Sequence, residues 1–266
     1  MENKENSKII AIVNQKGGVG KTTTTMNLAT ALCAMKKKVL VVDLDPQSNA
    51  TSGLGIEKGA FSSTSYDFIL GEKPLEKVVI NTPIPNLSII PATMDLSGAE
   101  IELASLEQKE FFLKNAIKDS SKKFDYILID CPPSLGVLTL NSLAAAHEVL
   151  IPLQCEYFAL EGLSHLVRTI ETINFSINPD LKIRGIVLTM FDSRNNLSKM
   201  INDDVRKYYG ELVYNTVIPR NVKVSEAPSH GYPVLVYDPS CVGSKAYIDL
   251  ASEIILQERK NQSKGA

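Results

Sequence analysis

One short stretch combines glycines, two lysines and hydroxyl side chains at a spacing that suits phosphate binding. It reads Asn14-Gln15-Lys16-Gly17-Gly18-Val19-Gly20-Lys21-Thr22-Thr23, between an apolar run and a helical pattern. A strand that ends in a glycine-rich turn and opens a helix points several backbone N–H groups and the positive end of the helix dipole at one anion. Lys21 supplies a cation for the β- and γ-phosphates, and the Thr22 hydroxyl is placed for Mg²⁺. Residues 16–23 are therefore the predicted nucleotide-phosphate site.

The loop departs in one place from the general pattern G-x-x-x-x-G-K-[ST]. Gln15 stands where that pattern has its first glycine, and a second lysine, Lys16, follows it. An exposed surface loop can also be rich in glycine and lysine, but the order of strand, glycines, Lys-Thr and helix favours a phosphate site. We expect Gly17, Gly18 and Gly20 to adopt positive φ or to let the backbone approach the ligand closely.

Two further apolar runs end in carboxylates. The first leads from Val39 into Asp43 and Asp45, and the second leads from Phe124 into Asp130. Ligands of open α/β sheets bind at the carboxyl ends of the strands. Asp45 lies nearer the strand's exit, so we predict that it orients an attacking water or holds Mg²⁺ through water, whereas Asp43 supports it or caps a turn.

Asp130 has the character of a metal-site aspartate. A buried strand that ends in one aspartate, downstream of a phosphate loop, delivers that carboxylate beside the Mg²⁺ held by Thr22. The predicted metal site thus combines Thr22, Asp45 and Asp130. Cys131, next to Asp130, could be a redox or cluster ligand, but an inert core thiol is the favoured interpretation.

Short β-branched runs alternate with helical patterns along the chain, which predicts an α/β fold with a mainly parallel twisted sheet of seven to eight strands flanked by helices. The predicted strands are 9–13, 39–47, 87–91, 124–130, 149–153, 183–190 and 213–218. The predicted helices are 24–35, 65–70, 96–118, 160–173, 197–209 and 244–258, and the remainder of 48–85 is predicted as loops. One domain, 8–258, lies between a disordered polar tail, 1–7, and a polar tail, 259–266.

Composition limits the classes of function. The chain has 266 residues, 44% of them hydrophobic, and a net charge of −2, so nucleic-acid binding would need a local basic patch. The four cysteines are far apart in sequence, which indicates reduced thiols and no structural metal. No apolar run is long enough to span a bilayer, and the N-terminus is polar. We expect a soluble, cytoplasmic protein.

Five motifs together resemble the ParA/Soj-type partitioning ATPases, the deviant-Walker P-loop proteins that move chromosomes and plasmids and are related to MinD. The motifs are Lys16–Thr23, Asp43–Gln47, Ile129–Pro133, Gln154–Gly162 and Val217–Pro228. The resemblance covers essentially residues 8–258.

The resemblance implies an ATP- and Mg²⁺-dependent switch. Lys16 would be the signature lysine that reaches the nucleotide of the other subunit in a sandwich homodimer, although it could also be an exposed loop lysine. Lys16, Lys21 and Asp45 would be the catalytic residues, with slow intrinsic hydrolysis. Pro219 and Asn221 would contact adenine, although a Pro-Arg-Asn turn is also an ordinary loop.

The same resemblance implies sequence-independent binding of double-stranded DNA and a nucleoid-associated location, with release stimulated by a ParB-type partner. Between Lys182 and Lys223 there are eight basic and four acidic residues, a local net charge of +4. Arg194 and Lys223 match the DNA-contacting positions of the family, the second being more often Arg there. Lys lacks the bidentate guanidinium. An ordinary charged surface is the alternative interpretation.

Three other classes share the phosphate loop. MinD-type ATPases grip membranes with a C-terminal amphipathic helix, but here residues 257–262 are polar. Nitrogenase-type iron proteins need paired cluster cysteines, which Cys131 alone does not supply. A nucleotide-gated scaffold, in which hydrolysis is incidental, predicts that Asp45→Ala preserves function in cells.

Overall fold

The computed structural model describes residues 7–57, 59–118 and 123–265, with side chains described to residue 260. Of the predicted N-terminal tail, 1–6 lies outside the described residues. Ser7 is buried, and its Oγ donates a hydrogen bond to the carbonyl oxygen of Phe124 at 2.6 Å. Ser7 therefore packs against the domain.

Seven strands form one sheet within the described residues. They are β1 (Lys8–Ile12), β2 (Val39–Asp43), β3 (Ile80–Asn81), β4 (Leu87–Ile90), β5 (Tyr126–Asp130), β6 (Glu148–Gln154) and β7 (Lys182–Thr189). The order is β3-β4-β2-β5-β1-β6-β7. Every pairing is parallel except that of the short edge strand β3 with β4. The predicted α/β fold with a mainly parallel sheet is confirmed.

Helices cover both faces of this sheet. The α-helices are α1 (Lys21–Ala34), α2 (Asn49–Gly53), α3 (Ser65–Ile69), α4 (Leu75–Val78), α5 (Leu96–Ala104), α6 (Phe112–Lys118), α7 (Val137–Ala145), α8 (Ala159–Ser176), α9 (Asn196–Tyr209), α10 (Val222–Glu226), α11 (Val234–Tyr237) and α12 (Val242–Gly265). Short 3₁₀ helices span Gly210–Leu212 and Ala227–His230. None of the helices in the described ranges is both long and apolar enough to cross a membrane.

The core has two halves, one on each face of the sheet, because successive strand side chains point to opposite faces. Along β1, Ile9 and Ala11 pack in the half that contains α7 and α8, whereas Ile10 and Ile12 pack in the half that contains α1 and α12. Strands buried on both faces carry continuous β-branched runs rather than alternating patterns. That explains why the sequence indicated strands by apolar runs.

The predicted strand at 213–218 is not a strand. Isolated bridges flank it instead, one from Val213 to Ile186 of β7 and one from Pro219 to Phe191, just after β7. Between them, the backbone N–H groups of Asn215 and Thr216 donate to the Glu253 carboxylate of α12, at 2.8 and 3.0 Å. The Glu253 carboxylate thus accepts hydrogen bonds from backbone N–H groups that would otherwise be available to a neighbouring strand. The hydrophobic pattern of residues 213–218 alone does not reveal this contact.

The single helix predicted over 96–118 is two helices, α5 and α6. The Ser105 hydroxyl donates to the carbonyl oxygen of Glu102 at 2.8 Å, and Gln108 has a positive φ of 53°. Across the break, Asn141 of α7 accepts from the N–H of Leu113 and donates to the carbonyl oxygen of Lys109. The break is satisfied by a residue distant in sequence.

Two other boundaries differ from the sequence prediction. The last helix continues to Gly265, through the residues predicted as a polar tail, and the arginine, glutamine and lysines in this stretch are good helix formers. The region 48–85 holds the predicted short helix, as α3, together with α2, α4 and β3. These pieces are too short to give a periodic signal.

The sheet order decides where the chemistry lies. Strands β2, β5 and β1 are neighbours, with Asp43 opposite Asp130 and Ile12 opposite Asp130 in the two registers. The carboxyl ends of these strands therefore bring the phosphate loop and the acidic residues to one edge.

Candidate functional site

The phosphate loop has the backbone of an anion cradle. Gly18 and Gly20 have φ of 77° and 88°, in the left-handed region, and α1 begins directly after Gly20. Gly17 is outside the positive-φ region, so only close approach of the ligand remains as its predicted role. A Cβ on Gly17 would meet only Pro133, at 4.0 Å. The loop thus needs glycine conformation at two positions rather than three.

Residues outside the motif hold the loop from both sides. The Asn14 amide donates to the carbonyl oxygen of Pro152 at 2.8 Å, and its Oδ1 accepts the Lys16 N–H at 3.0 Å. The Thr189 hydroxyl, at the end of β7, donates to the carbonyl oxygen of Val19 at 2.8 Å. Val19 itself is buried. The cradle is therefore preorganised by contacts with β6 and β7.

Lys21 is buried, and its Nζ donates to the carbonyl oxygen of Lys16 at 3.0 Å, inside the curl of the loop. Burial lowers the pKa of this ammonium, and the charge of Asp130 opposes that shift. The amine is thus held at the loop with a single backbone acceptor. It has further donors available for a phosphate.

Asp130 is fully buried at the end of β5. Its Oδ1 accepts from the Thr25 hydroxyl at 2.9 Å, and Thr22 also lies near enough to lower its pKa. Its Oδ2 has no hydrogen-bond partner among the described residues. A buried carboxylate oxygen without a partner is costly unless a ligand or ion completes it. The donor set of Thr22 and Asp130 therefore fits a hard cation such as Mg²⁺, which prefers oxygen ligands.

The other two acids of this edge differ in how they are used. Both oxygens of Asp43 accept hydrogen bonds, Oδ1 from the Asp45 N–H at 3.2 Å and Oδ2 from the Thr51 N–H and hydroxyl at 2.9 and 2.7 Å. Asp45 accepts the Gln47 N–H at 2.9 Å and lines the cleft beside the phosphate loop. Asp43 thus supports the site from within, and Asp45 is the acid that borders the cavity.

Asp43 and Asp130 are buried next to each other, and this raises the pKa of both carboxyl groups. Burial raises the pKa of Asp130 to about 8, and the Asp43 charge adds to that rise. Burial also raises the pKa of Asp43 to about 6, against the hydrogen bonds from Thr51 that lower it. A cation bound at this edge would favour both charged forms.

Two cavities meet at the phosphate loop. The larger, of about 550 Å³, is bordered by residues 17–23 apart from Val19, and by Asp45. The smaller, of about 80 Å³, is bordered by Pro219 and Asn221 and shares Gly20, Thr23 and Met190 with the larger one. The residues predicted for phosphate and for adenine thus lie along one continuous cleft.

Asn221 and Met190 shape the narrow end of this cleft. Asn221 Oδ1 caps α10 by accepting the N–H groups of Lys223 and Val224, which leaves its NH₂ group for a ligand. Met190 has a positive φ of 50°, which is strained for a residue with a side chain. The backbone turns sharply at Met190, from β7 into the loop that carries Arg194.

Lys16 lies apart from this cleft. Its side chain is 53% exposed and its Nζ makes an ion pair with Glu156, in the loop after β6. Lys16 is not among the residues that border either cavity. The structure of one subunit therefore separates the second lysine from the phosphate site of the same subunit.

The predicted basic region does not form one exposed surface. Arg184 is buried in ion pairs with Glu148 and Glu258, so its inclusion in the +4 count was wrong for a surface. Arg206 is half-buried and donates to the carbonyl oxygens of Tyr214 and Asn215. These two arginines stabilise the fold, because each satisfies buried or partly buried acceptors.

Both predicted DNA-contacting residues are accessible but paired. The Arg194 side chain is 87% exposed and forms a bidentate contact with Asp192, at 3.0 and 2.9 Å. Lys223 pairs with Glu226 at 3.0 Å, with its ammonium 5.4 Å from the centre of the Tyr237 ring. A phosphate would have to replace these local acids.

Sequence reasoning missed three residues that hold the site, Asn14, Thr25 and Thr189. Thr25 follows Lys21 by one helical turn, so the threonine run after the loop carried a readable signal. Asn14 and Thr189 act through contacts with distant strands, for which one sequence holds no signal.

Known proteins with similar sequences cover nearly the whole chain. A family model described as "AAA domain" matches residues 7–183. The chromosome partitioning protein ParA of Caulobacter vibrioides is 52% identical, over 97% of this chain and 98% of its own length. The sporulation initiation inhibitor protein Soj of Bacillus subtilis is also 52% identical, over 93% of this chain and 98% of its own length. The chain belongs to the ParA/Soj family.

A solved structure agrees with this assignment at the level of the fold. Cobyrinic acid a,c-diamide synthase from Mycobacterium smegmatis, solved with ADP and magnesium bound, has a TM-score of 0.84 and is 36% identical. The match covers 96% of each chain. This ParA/Soj-family chain is thus similar, over its whole domain, to a protein that holds a nucleotide and magnesium.

The left-handed conformation at Gly20 gives a first test. We expect Gly20→Ala to lower the free energy of unfolding by about 1 to 2 kcal/mol, because a Cβ is disfavoured at this φ. Gly17→Ala, at ordinary φ and without close neighbours, is the control and should leave stability nearly unchanged. Chemical denaturation of the nucleotide-free proteins measures both. Equal losses in the two variants would contradict the assigned conformations.

The raised pKa values of the buried carboxyls predict the pH dependence of stability. Between the ordinary aspartate pKa near 4 and the folded value of Asp130 near 8, the folded state binds more protons than the unfolded state. The nucleotide-free chain should therefore lose stability as the pH rises through this window. We expect Asp130→Asn to flatten the dependence, with a thermal midpoint at pH 8 at least about 5 °C above that of wild type. A variant that retained the wild-type slope would show that Asp130 is not its source.

Proposed function

We propose that this chain is a chromosome-partitioning ATPase in which ATP binding forms a homodimer that holds DNA, and hydrolysis releases it. The observation that carries the proposal is the convergence of Lys21, Thr22 and Asp45 on one cleft, with Asp130 buried behind them. The relatives named chromosome partitioning proteins, at about 50% identity, support a chromosome as the cargo.

Within one subunit, the residues divide the work on ATP. The N–H groups of residues 17–22 and the Lys21 ammonium bind the phosphates, with Pro219 and Asn221 at the adenine end of the cleft. Thr22 and Asp130 would hold Mg²⁺, with Asp45 reaching it through water. When bound, Mg²⁺ would supply positive charge that offsets the charge developing during phosphoryl transfer. Asp45 orients the attacking water, because it is the acid that borders the cleft.

Lys16 completes the reaction from the other subunit. Lys21 already serves the phosphates in cis, and the exposed Lys16 side chain lies outside the cleft of its own subunit. A cation supplied in trans stabilises the transition state only after subunits associate. Hydrolysis is therefore slow in the isolated protein and follows dimer formation.

DNA binding uses phosphate contacts, which carry no sequence information. Arg194 lies on the loop that follows Met190, and Lys223 lies in the first turn of α10, directly after Asn221. Two copies of each in a dimer would double the number of phosphate contacts, and affinity rises steeply with that number. To bind DNA, Arg194 must leave Asp192 and Lys223 must leave Glu226. Binding by one subunit is therefore weak and sensitive to salt.

A partner of the ParB type, a centromere-binding protein, would accelerate hydrolysis and so release DNA. Positioning and charge stabilisation limit phosphoryl transfer, and a partner can improve both. The protein would then act in the cytoplasm on the nucleoid.

The structure disfavours a MinD-like use of the C-terminal helix as a membrane anchor. Glu258 of α12 pairs with Arg184 and Lys8 and accepts from the Tyr126 hydroxyl at 2.6 Å. Helix α12 is thus fixed to the domain at Glu258. Residues that must enter a lipid surface need a free apolar face instead.

The switch can be tested by blocking hydrolysis. We expect Asp45→Ala with ATP and Mg²⁺ to remain dimeric on a nonspecific DNA duplex, whereas wild type dissociates and ADP supports neither state. Arg194→Ala in that background should weaken DNA binding at least about tenfold and reduce its salt dependence, because a phosphate contact is lost. Lys182→Ala, at the opposite end of β7, is the control. Sedimentation and fluorescence anisotropy measure the two properties, and DNA binding by Asp45→Ala that ignored ATP would contradict the proposal.

A further inference from the structure

Each Lys16 is paired with an acid of its own chain. Strands β1 and β6 are neighbours in parallel, so the loops that follow them lie side by side at the carboxyl edge. The Lys16 ammonium donates to Glu156 Oε1 across this gap. We propose that Glu156 is a positioning residue that holds Lys16 on its own subunit and thereby opposes association of subunits. This inference rests on the proposed role of Lys16 in trans.

The geometry lets the lysine side chain move without the loop. The Lys16 N–H is fixed on Asn14 and its carbonyl oxygen on the Lys21 ammonium, both at 3.0 Å. The side chain is 53% exposed, whereas that of Glu156 is only 28% exposed. Lys16 can therefore leave Glu156 by rotation about its side-chain bonds while the phosphate cradle keeps its shape.

The surface beside this ion pair is suited to a second subunit. Tyr157 and Phe158 follow Glu156 directly, are 72% and 66% exposed, and pack edge to face with their ring centres 5.0 Å apart. Aromatic side chains are enriched in protein interfaces. A subunit that covers this aromatic pair would approach Lys16 and Glu156 at the same time.

The charges explain how nucleotide would release the lysine. Leaving Glu156 costs Lys16 one carboxylate contact, and the triphosphate of ATP in the opposite subunit offers a larger negative charge. An exposed ion pair contributes little, on the order of a threefold change in an equilibrium constant. A symmetric dimer breaks two such pairs, so the effect on the dimer dissociation constant is about tenfold.

Neutralising Glu156 tests the inference. We expect Glu156→Gln to tighten the dimer about tenfold with a non-hydrolysable ATP analogue and Mg²⁺, measured by sedimentation velocity. Glu161→Gln removes an exposed negative charge on the first turn of α8 and should leave the constant unchanged. The difference between wild type and Glu156→Gln should shrink from about 50 mM to about 500 mM salt, because screening weakens an exposed pair.

The outcomes separate this inference from the function it rests on. A Glu156→Gln dimer no tighter than wild type would overturn the role of Glu156 while leaving the ATP switch intact. A weaker dimer would show that Glu156 binds the partner instead. A wild-type chain that stayed monomeric with the analogue would overturn the switch itself, and the role of Glu156 with it. Misfolding does not mimic the expected result, which is a gain of association.

Discussion

Two carboxylates buried face to face are the constraint on which this site depends. Asp43 and Asp130 are register partners on β2 and β5, and both are fully buried. Like charges in such a place are costly, and the hydrogen bonds from Thr51 and Thr25 offset only part of that cost. This edge of the sheet therefore favours the binding of cations, and the Lys21 ammonium is one that the protein itself supplies. A metal ion bound with the nucleotide would offset the remaining negative charge of the two carboxylates.

The same edge joins the nucleotide cleft to the segments that carry the candidate DNA-contacting residues. Thr189 holds the phosphate loop through Val19, and the chain then turns at the strained Met190 into the loop of Arg194. Phe191 is bonded in turn to the segment that carries Asn221, through Ile218 at 3.0 Å. Movement at the phosphate loop therefore has two short routes to the surface, each of which includes hydrogen bonds. That arrangement agrees with an output on DNA that depends on nucleotide.

The fold class and the position of the site could be predicted from the sequence, because the motifs that indicate them are short and local. Residues 16–23 and the apolar runs that end in Asp45 and Asp130 predict the position of the site at one edge of a parallel sheet. The fold class followed from the alternation of runs and helical patterns. In contrast, the contacts of Glu253, Asn141 and Asn14 with distant backbone groups decide where strands and helices stop. Such contacts join residues far apart in the chain, so local pattern reading did not reveal them.

The count of charged residues along the chain did not predict which of them lie on an accessible surface. Arg184 has the same formal charge as Arg194, yet one is buried between glutamates and the other is exposed. The Lys16 contact with Glu156 is also invisible in sequence, since 140 positions separate the partners. Burial and pairing therefore decide which charges can act on a ligand or a partner.

The proposed switch depends on Lys16 acting on the nucleotide of the other subunit. Mixing two inactive variants tests it most directly, with Lys16→Ala keeping an intact phosphate site and Lys21→Ala keeping Lys16. If the lysine acts in trans, the mixture recovers ATP hydrolysis, to about a quarter of the wild-type rate, since half of the dimers are mixed and each holds one complete site. A mixture no more active than its components would contradict the account.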